Sequence, residues 1–433
     1  MSVGILTILI IAVLILLIGF GTPISFATGF VSLLIFIAFM DINTLYQIAE
    51  IVAENGTNLF MITIPLFVLM AEILAFSGVG NDLFTAANRW LSWLPGGLAI
   101  SSIGTCTGFA AVSGSSPATA ATVGLVAIPE MIKRGYNRKL AVGSIAAGGT
   151  LGILIPPSIA MIIYGIITEV SIGRLFIAGI IPGIILAIIL SSAIAIAVKL
   201  RPSIAPPSNS VTWRERFSSL KTVWPFIVLS FSVIGSIYGG IATPTESAAI
   251  GVVFSIIIAL IFRRLTVQSL YMALKRSASV SAMILFLVIG GCVLAFVLSY
   301  LNIPQSLTNM VVSLEISRWW VMIIINLVLL VMGCLMDPMG VMVITLPILF
   351  PIVTQMGFDP IWFGIVVTVN VEIGMITPPV GLNLFVLKGV VPNITLKEIY
   401  VGSTYFVLIL LIGLATIMLF PPLATWLPGR MGF

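Results

Sequence analysis

The 433-residue chain is too apolar for a soluble domain, since 60% of its residues are hydrophobic and 8% are charged, against about 25% charged residues in ordinary domains. The absence of histidine removes the commonest proton shuttle and metal ligand. This argues against zinc or redox chemistry and against a Ser-His-Asp triad, so we expect no enzyme. We interpret the net charge of +5 as loop charge that sets membrane orientation, and not as nucleic-acid binding. The three cysteines show no spacing typical of a disulfide or metal site.

The chain predicts an all-α polytopic membrane protein, because apolar stretches of about 17–25 residues recur along it. We expect spanning helices at residues 3–20, 24–40, 58–77, 140–165, 174–198, 224–240, 245–262, 278–300, 360–388 and 399–420. The first lacks a basic n-region and a cleavage site, which favours a retained helix over a signal peptide. A Pro/Ser-rich segment at 201–222 predicts a cytoplasmic linker.

Four further segments differ from simple spans. Residues 97–131 and 319–356 are apolar but interrupted at Ser113–Pro117 and Met336–Gly340. Each is too long for one span and slightly short for two, so we predict re-entrant hairpins. Residues 78–95 and 264–276 are interpreted as arms that link a scaffold to a moving part, and Thr266–Arg276 is expected to lie along the interface as an amphipathic helix.

The two halves of the sequence align with each other. Most matched pairs are 222 residues apart, and the last is 221 apart: Pro156-Pro157 with Pro378-Pro379, Gly152 with Gly374, Pro129 with Pro351, Gly135-Tyr136-Asn137 with Gly357-Phe358-Asp359, and Thr22-Pro23 with Thr243-Pro244. Several matches in one frame indicate an internal repeat. We therefore predict a first repeat at 1–200 and a second at 223–433. Each holds five spanning helices and one hairpin, an odd number of crossings that inverts the second repeat.

Loop charges predict the orientation in the membrane. With the N-terminus outside, 16 of the 19 basic residues fall on the cytoplasmic side. Lysine and arginine accumulate in cytoplasmic loops, so we expect a periplasmic N-terminus. The first hairpin then enters from the cytoplasm and the second from outside.

Two predicted helices are interrupted at mid-membrane, within 140–165 and 360–388. The breaks lie at Gly148–Ser158 and Glu372–Asn383, and each contains a Pro-Pro pair with nearby glycines. Proline removes an amide donor and clashes with the preceding turn, so carbonyls freed there can bind sodium and helix N-termini can bind an anion. Matching breaks in two halves point to a transporter site; the alternative is a pair of packing kinks.

The hairpin tips are the second pair of candidate sites. Ser113–Thr119 offers hydroxyl and carbonyl oxygens for sodium and amides for a carboxylate; the alternative is a tight turn of small residues. Asp337 in the second tip is a candidate cation ligand and a candidate N-cap. Among the acids Glu72, Glu246 and Glu372, the last lies beside a break and is the strongest candidate. The expected substrate-binding residues are Ser115, Ser116, Thr119, Pro157, Ser158, Gly340, Pro379 and Asn383.

With these residues in view, the chain resembles the large membrane subunit (DctM-like) of tripartite ATP-independent periplasmic (TRAP) transporters. The resemblance spans nearly the whole chain and rests on several local motifs. They are Ile64–Phe67, Ser113–Ala121, Pro129–Met131 with Arg134–Tyr136, Gly152–Ser158, Thr243–Ala249 and Thr377–Gly381. The absence of a Walker-type glycine loop agrees with a transporter that does not itself use ATP.

The resemblance implies an elevator transporter in a bacterial inner membrane, driven by a sodium gradient. It implies a separate small DctQ-like membrane subunit, a periplasmic DctP-like binding protein and an organic anion substrate such as a C4-dicarboxylate or sialic acid. Sodium is expected around the tips and breaks, at Ser113, Ser115, Ser116, Gly152, Pro156, Asp337, Gly340, Gly374, Thr377 and Pro379. A stand-alone sodium- or proton-coupled anion symporter is the alternative.

Overall fold

The computed structural model describes residues 3–41, 45–207, 211–391 and 394–431. Every regular element in these ranges is a helix, as the sequence predicts. Eight of the described helices are long and apolar enough to cross a membrane, and a pair bent by 43° makes up to nine. The chain is therefore a polytopic α-helical membrane protein.

The first half of the chain forms ten helices. They are α1 (Val3–Gly19), α2 (Ile24–Phe39), α3 (Tyr46–Thr57), α4 (Leu59–Phe76), α5 (Val79–Leu91), α6 (Gly97–Ser113), α7 (Ser116–Lys133), α8 (Arg138–Leu154), α9 (Ile159–Thr168) and α10 (Ile172–Leu200). Helices α6 and α7 are the first hairpin, and α8 and α9 are the first interrupted helix.

The second half repeats this order, with a single long helix at the positions equivalent to α3 and α4. Its helices are α11 (Trp213–Tyr238), α12 (Pro244–Ile261), α13 (Val267–Tyr300), α14 (Ile303–Ser313), α15 (Arg318–Leu335), α16 (Pro338–Gln355), α17 (Pro360–Met375), α18 (Leu382–Val390), α19 (Leu396–Leu419) and α20 (Pro422–Thr425). Helices α15 and α16 are the second hairpin, and α17 and α18 are the second interrupted helix.

Equivalent residues begin and end equivalent helices in the two repeats. Past α7 and α16, Gly135 and Gly357 adopt φ angles of 85° and 78°, a conformation that glycine adopts without a Cβ penalty. The side chain of Asn137 caps α8 by accepting from the amide of Lys139, and that of Asp359 caps α17 by accepting from the amides of Ile361 and Trp362. The sequence repeat is thus also a repeat of local structure.

The two repeats interlock, and the interrupted helices lie innermost. Helix α2 packs against α13, and α12 packs against α4. Residues 140–154 of α8 and 361–375 of α17 are all buried, whereas α1, α2, α11 and α12 carry large exposed apolar side chains. Helices α8 and α17, which lead into the candidate breaks, are therefore enclosed by the others.

The structure corrects four details of the predicted helices. Residues 267–300 form one helix of 34 residues, so the amphipathic segment Thr266–Arg276 is the start of α13 and not a separate interfacial arm. The arm equivalent to α5 is α14, which the sequence did not predict, and α3 was also missed. Helix α11 begins at Trp213, inside the predicted linker, because Thr212 and Glu215 form a capping box there.

Candidate functional site

The first helix interruption is buried and capped. Between α8 and α9 the chain turns at Pro156-Pro157, joined by a cis peptide bond, and residues 155–158 are all buried. The Ser158 hydroxyl accepts a hydrogen bond of 3.3 Å from the amide of Met161, which caps α9. Ser158 is thus engaged in starting the second half of the helix.

The tip of the first hairpin concentrates oxygen atoms. The Ser113 and Thr119 hydroxyls lie 2.7 Å apart, and Thr119 donates a hydrogen bond of 2.8 Å to the carbonyl of Ser115. Ser113 and Thr119 are buried, whereas Ser115 is half-buried. Two hydroxyls and one carbonyl therefore converge within a single turn.

Glycines bring this tip against the first interruption. A Cβ on Gly152 of α8 would lie 2.7 Å from the Thr119 hydroxyl and 2.8 Å from the Ser115 carbonyl, and a Cβ on Gly114 would lie 2.7 Å from the carbonyl of Pro157. These distances are shorter than side chains tolerate, so only glycine permits this approach. The first tip and the first break are therefore in direct contact.

The second hairpin tip is held by a helix cap. The Asp337 carboxylate accepts hydrogen bonds of 3.1 Å from the amides of Met339 and Gly340, at the N-terminus of α16. Gly340 packs against Ile24 at the start of α2, and the carbonyl of Cys334 accepts from the amide of Gly381. The N-cap role predicted for Asp337 is thus present in the structure.

The second interruption differs from the first in its exposure. It contains the cis bond Pro378-Pro379, and Pro379 is exposed whereas Pro157 is buried. The Thr377 hydroxyl donates to the carbonyl of Ile373 at 2.6 Å, and the Pro379 carbonyl accepts from the Tyr400 hydroxyl at 2.9 Å. This break is therefore open on one side and tethered to α19 on the other.

A hydrogen bond joins the first hairpin to the second interrupted helix. The side-chain amide of Asn383 in α18 donates a hydrogen bond of 2.6 Å to the hydroxyl of Ser116, the first residue of α7. Both residues are fully buried. Glu372 of α17 faces the same hydroxyl and is only 2% exposed, so residues from both repeats meet at this point.

The predicted site residues lie in two connected groups. In the first, the tip of the first hairpin packs against the first interruption. In the second, the tip that holds Asp337 and Gly340 is joined to the second interruption, because the Gly381 amide donates to the Cys334 carbonyl and Gly374 packs against Gly333. The hydrogen bond between Asn383 and Ser116 links the two groups. The predicted ligands did not include Glu372. Its position beside the second break is the sequence signal that could have identified it as one.

A polytopic helical protein with two interrupted helices and two hairpin tips has the architecture of a secondary transporter. Residues 11–423 match the model of the tripartite ATP-independent periplasmic transporter, DctM component. The chain belongs to this family, whose members are transporter permeases and not enzymes.

Two relatives and one solved structure illustrate the similarity. The chain is 36% identical to the C4-dicarboxylate TRAP transporter large permease protein DctM of Vibrio cholerae, over 99% of this chain and 98% of the relative. It is 34% identical to the isethionate TRAP transporter permease protein DctMQ of Oleidesulfovibrio alaskensis, over 86% of this chain but 58% of that longer protein. The YdaH transporter of Alcanivorax borkumensis shares the fold, with a TM-score of 0.58, 14% identity and 90% coverage of each chain.

Proposed function

We propose that this TRAP large permease subunit imports a small organic anion by sodium symport, with C4-dicarboxylates as the first substrates to test. The oxygen cluster of the first hairpin tip carries the sodium part of the proposal. Relatives named for a C4-dicarboxylate and for isethionate support an anionic substrate, and the bacterial inner membrane is the expected location.

The residues at the first tip fit a sodium ion. Sodium is a hard cation for which carbonyl and hydroxyl oxygens are suitable ligands. The Ser113 and Thr119 hydroxyls and the Ser115 carbonyl supply such atoms beside Gly152. Bound there, sodium would offset the partial negative charge of these oxygens and hold the tip against α8.

The N-termini of three helices supply positive electrostatic potential that would favour a bound anion. Helices α7, α9 and α18 begin near the tip and the two breaks, at Ser116, Ile159 and Leu382, and each carries free amides and a partial positive charge at its N-terminus. The exposure of Pro379 and Val380 leaves the start of α18 accessible. We assign this opening to the substrate carboxylate, with the backbone amides at the start of α18 as its donors.

An elevator motion fits the arrangement of the helices. Short helices α5 and α14 connect the outer helices α4 and α13 to the two hairpins. A cavity of ≈ 900 Å³ separates the α9–α10 turn, at Glu169 and Ser171, from the starts of α4 and α12 and from α13. This cavity leaves room for the inner helices to move past the outer ones.

The proposed partners are a small DctQ-like membrane subunit and a DctP-like periplasmic binding protein. The fused DctMQ relative supports the first, since this chain matches only part of its length. The binding protein would deliver the anion on the side where we place the N-terminus.

Reconstituted transport tests the proposal. The chain and its small subunit are incorporated into liposomes, and uptake of radiolabelled succinate is measured with inward gradients of sodium, protons or choline. We expect uptake only with sodium and only when the binding protein is added. Uptake driven equally by protons would refute sodium coupling, and uptake independent of the binding protein would favour a stand-alone symporter. Absence of uptake with any C4-dicarboxylate, alongside uptake of another organic acid, would refute the substrate assignment alone.

A further inference from the structure

Glu372 is a buried carboxylate with no basic side chain paired to it in the part of the chain that the structure describes. It is 2% exposed, and among the residues that the structure describes the neutral Ser116 hydroxyl is the only donor that faces its oxygens. The described ion pairs are Arg134–Glu130, Arg138–Glu398 and Arg264–Asp82, and none includes Glu372. An isolated carboxylate in a protein interior within a membrane is costly, so something must compensate it.

The atoms around this carboxylate are also oxygen acceptors. The Asn383 side chain is fully buried, and its amide nitrogen is used by Ser116. Its carbonyl oxygen has no donor within the described part of the chain. The Ser116 hydroxyl lies between the two residues. The two Glu372 oxygens and the Asn383 amide oxygen therefore share a single neutral donor, the Ser116 hydroxyl, so a cation would compensate them.

The cluster occurs in one repeat only. The positions 222 residues away from Glu372, Asn383 and Ser116 are Thr150, Met161 and Pro338, which carry no charge. The presence of Glu372 is therefore not a consequence of the internal repeat. It indicates a role specific to this position of the second repeat.

We propose that Glu372, Asn383 and Ser116 form a side-chain site for a monovalent cation, distinct from the carbonyl and hydroxyl cluster around Gly152. Its ligands would be the Glu372 carboxylate, the Asn383 amide oxygen and the Ser116 hydroxyl. Because α7 belongs to the first hairpin and α17 and α18 to the second interrupted helix, the ion would tie the two repeats together. The choice of sodium as the ion rests on the proposed function.

Sodium binding to Glu372→Gln tests this site without relying on transport. The full chain with its small subunit is purified in detergent, and binding of radiolabelled sodium and thermal unfolding are followed as sodium replaces choline at constant ionic strength. Glutamine keeps the shape and removes the charge. We expect a loss of at least one sodium ion per chain, or a tenfold weaker sodium-dependent stabilisation. Glu72→Gln, in α4, is the matched control and should bind sodium as the parent protein does.

Several results would overturn the inference. Parent protein that neither binds nor responds to sodium refutes both this site and the proposed coupling. Parent protein that responds, with an unchanged response in Glu372→Gln, refutes this site alone and indicates a protonated carboxyl group. If Glu372→Gln does not fold, Asn383→Leu takes its place, because it removes the amide oxygen and preserves the side-chain size. A normal sodium stoichiometry and affinity in Asn383→Leu would also refute the site.

Discussion

The Tyr164 hydroxyl donates a hydrogen bond of 2.6 Å to the carbonyl of Pro360, which joins the second half of one interrupted helix to the start of the other. The Tyr164 ring is fully buried and meets Phe350 and Phe363 edge-on. At this point the two repeats are held together by a hydrogen bond that is surrounded by packed aromatic rings. This contact links α9 directly to α17.

Tyr164→Phe should remove this hydrogen bond and retain the ring. A typical buried hydrogen bond contributes about 1 kcal/mol, and the Pro360 carbonyl would lose its side-chain donor. We expect a lower unfolding temperature in detergent and slower transport. Tyr405→Phe on the outer face of α19, where the side chain is 45% exposed, is the control and should unfold like the parent. Equal unfolding temperatures for the two variants would contradict a stabilising role for this hydrogen bond.

Gly152→Ala should disrupt the first hairpin tip. The added methyl group would meet the Thr119 hydroxyl and the Ser115 carbonyl at 2.7 and 2.8 Å, and overpacking of this kind costs about 1–3 kcal/mol. We expect a less stable protein with weaker sodium-dependent stabilisation. Thermal unfolding across a sodium titration measures both effects.

Gly235→Ala in α11 is the matched control for this substitution. No atom beyond its own helix lies within 4 Å of the added methyl group, and alanine favours a helix over glycine by about 0.5–1 kcal/mol. Its stability should therefore be equal to or above that of the parent. A Gly152→Ala protein as stable and as sodium-responsive as Gly235→Ala would show that the tip tolerates a side chain.

The positions of the breaks and hairpins were predictable, because proline and glycine act through local backbone geometry. Pro156-Pro157 and Pro378-Pro379 lie between helices as expected, and the hairpins turn at Ser113–Ser116 and Leu335–Pro338. The order of the membrane spans followed equally from hydropathy. These features depend on residues close together in the sequence.

Features that depend on tertiary contacts were harder to predict. The polar start of α13 was separated from its apolar end, yet it continues the same helix and packs against α4. Helix α14 is short and mixed in composition, so no apolar stretch marked it. The pairing of Ser116 with Asn383 spans 267 residues and has no local signal. The sequence places Glu372 beside a break, but its contact with Ser116 depends on the tertiary fold.

The Asp82–Arg264 ion pair should anchor the arm α5 to the loop before α13. The Arg264 guanidinium donates two hydrogen bonds to the Asp82 carboxylate. It donates a third, of 3.1 Å, to the carbonyl of Ser77. The hydrogen bond to Asp82 raises the pKa of Arg264 above its ordinary value, so this side chain stays charged at physiological pH. The side chains are 36% and 14% exposed, and a pair this accessible contributes about 1 kcal/mol or less.

A double-mutant cycle with Asp82→Asn and Arg264→Gln measures that contribution. We expect each single variant to be slightly less stable and the double variant to lose little more, since the second change removes a partner already lost. The coupling should weaken as choline chloride is added, because solvent ions screen exposed charges. Additive effects that are independent of salt would show that the pair does not anchor α5.

Two exposed positions should report the orientation of the chain in the membrane. Ile241, between α11 and α12, is 82% exposed, and Val267, at the start of α13, is 89% exposed. The charge distribution predicts that Ile241 lies in the periplasm and Val267 in the cytoplasm. We therefore introduce Ile241→Cys or Val267→Cys into a variant whose native cysteines Cys106, Cys292 and Cys334 are replaced by alanine.

An impermeant maleimide applied to intact cells with a permeabilised outer membrane should label Ile241→Cys and leave Val267→Cys unmodified. Disruption of the inner membrane should expose both thiols and yield equal labelling, which controls for their intrinsic reactivity. The opposite pattern would invert the topology. The first hairpin would then enter from the periplasm, and the cavity beside Glu169 would open toward the cytoplasm. Because the proposed delivery of substrate depends on this orientation, the labelling pattern also decides which side of the protein the binding protein must meet.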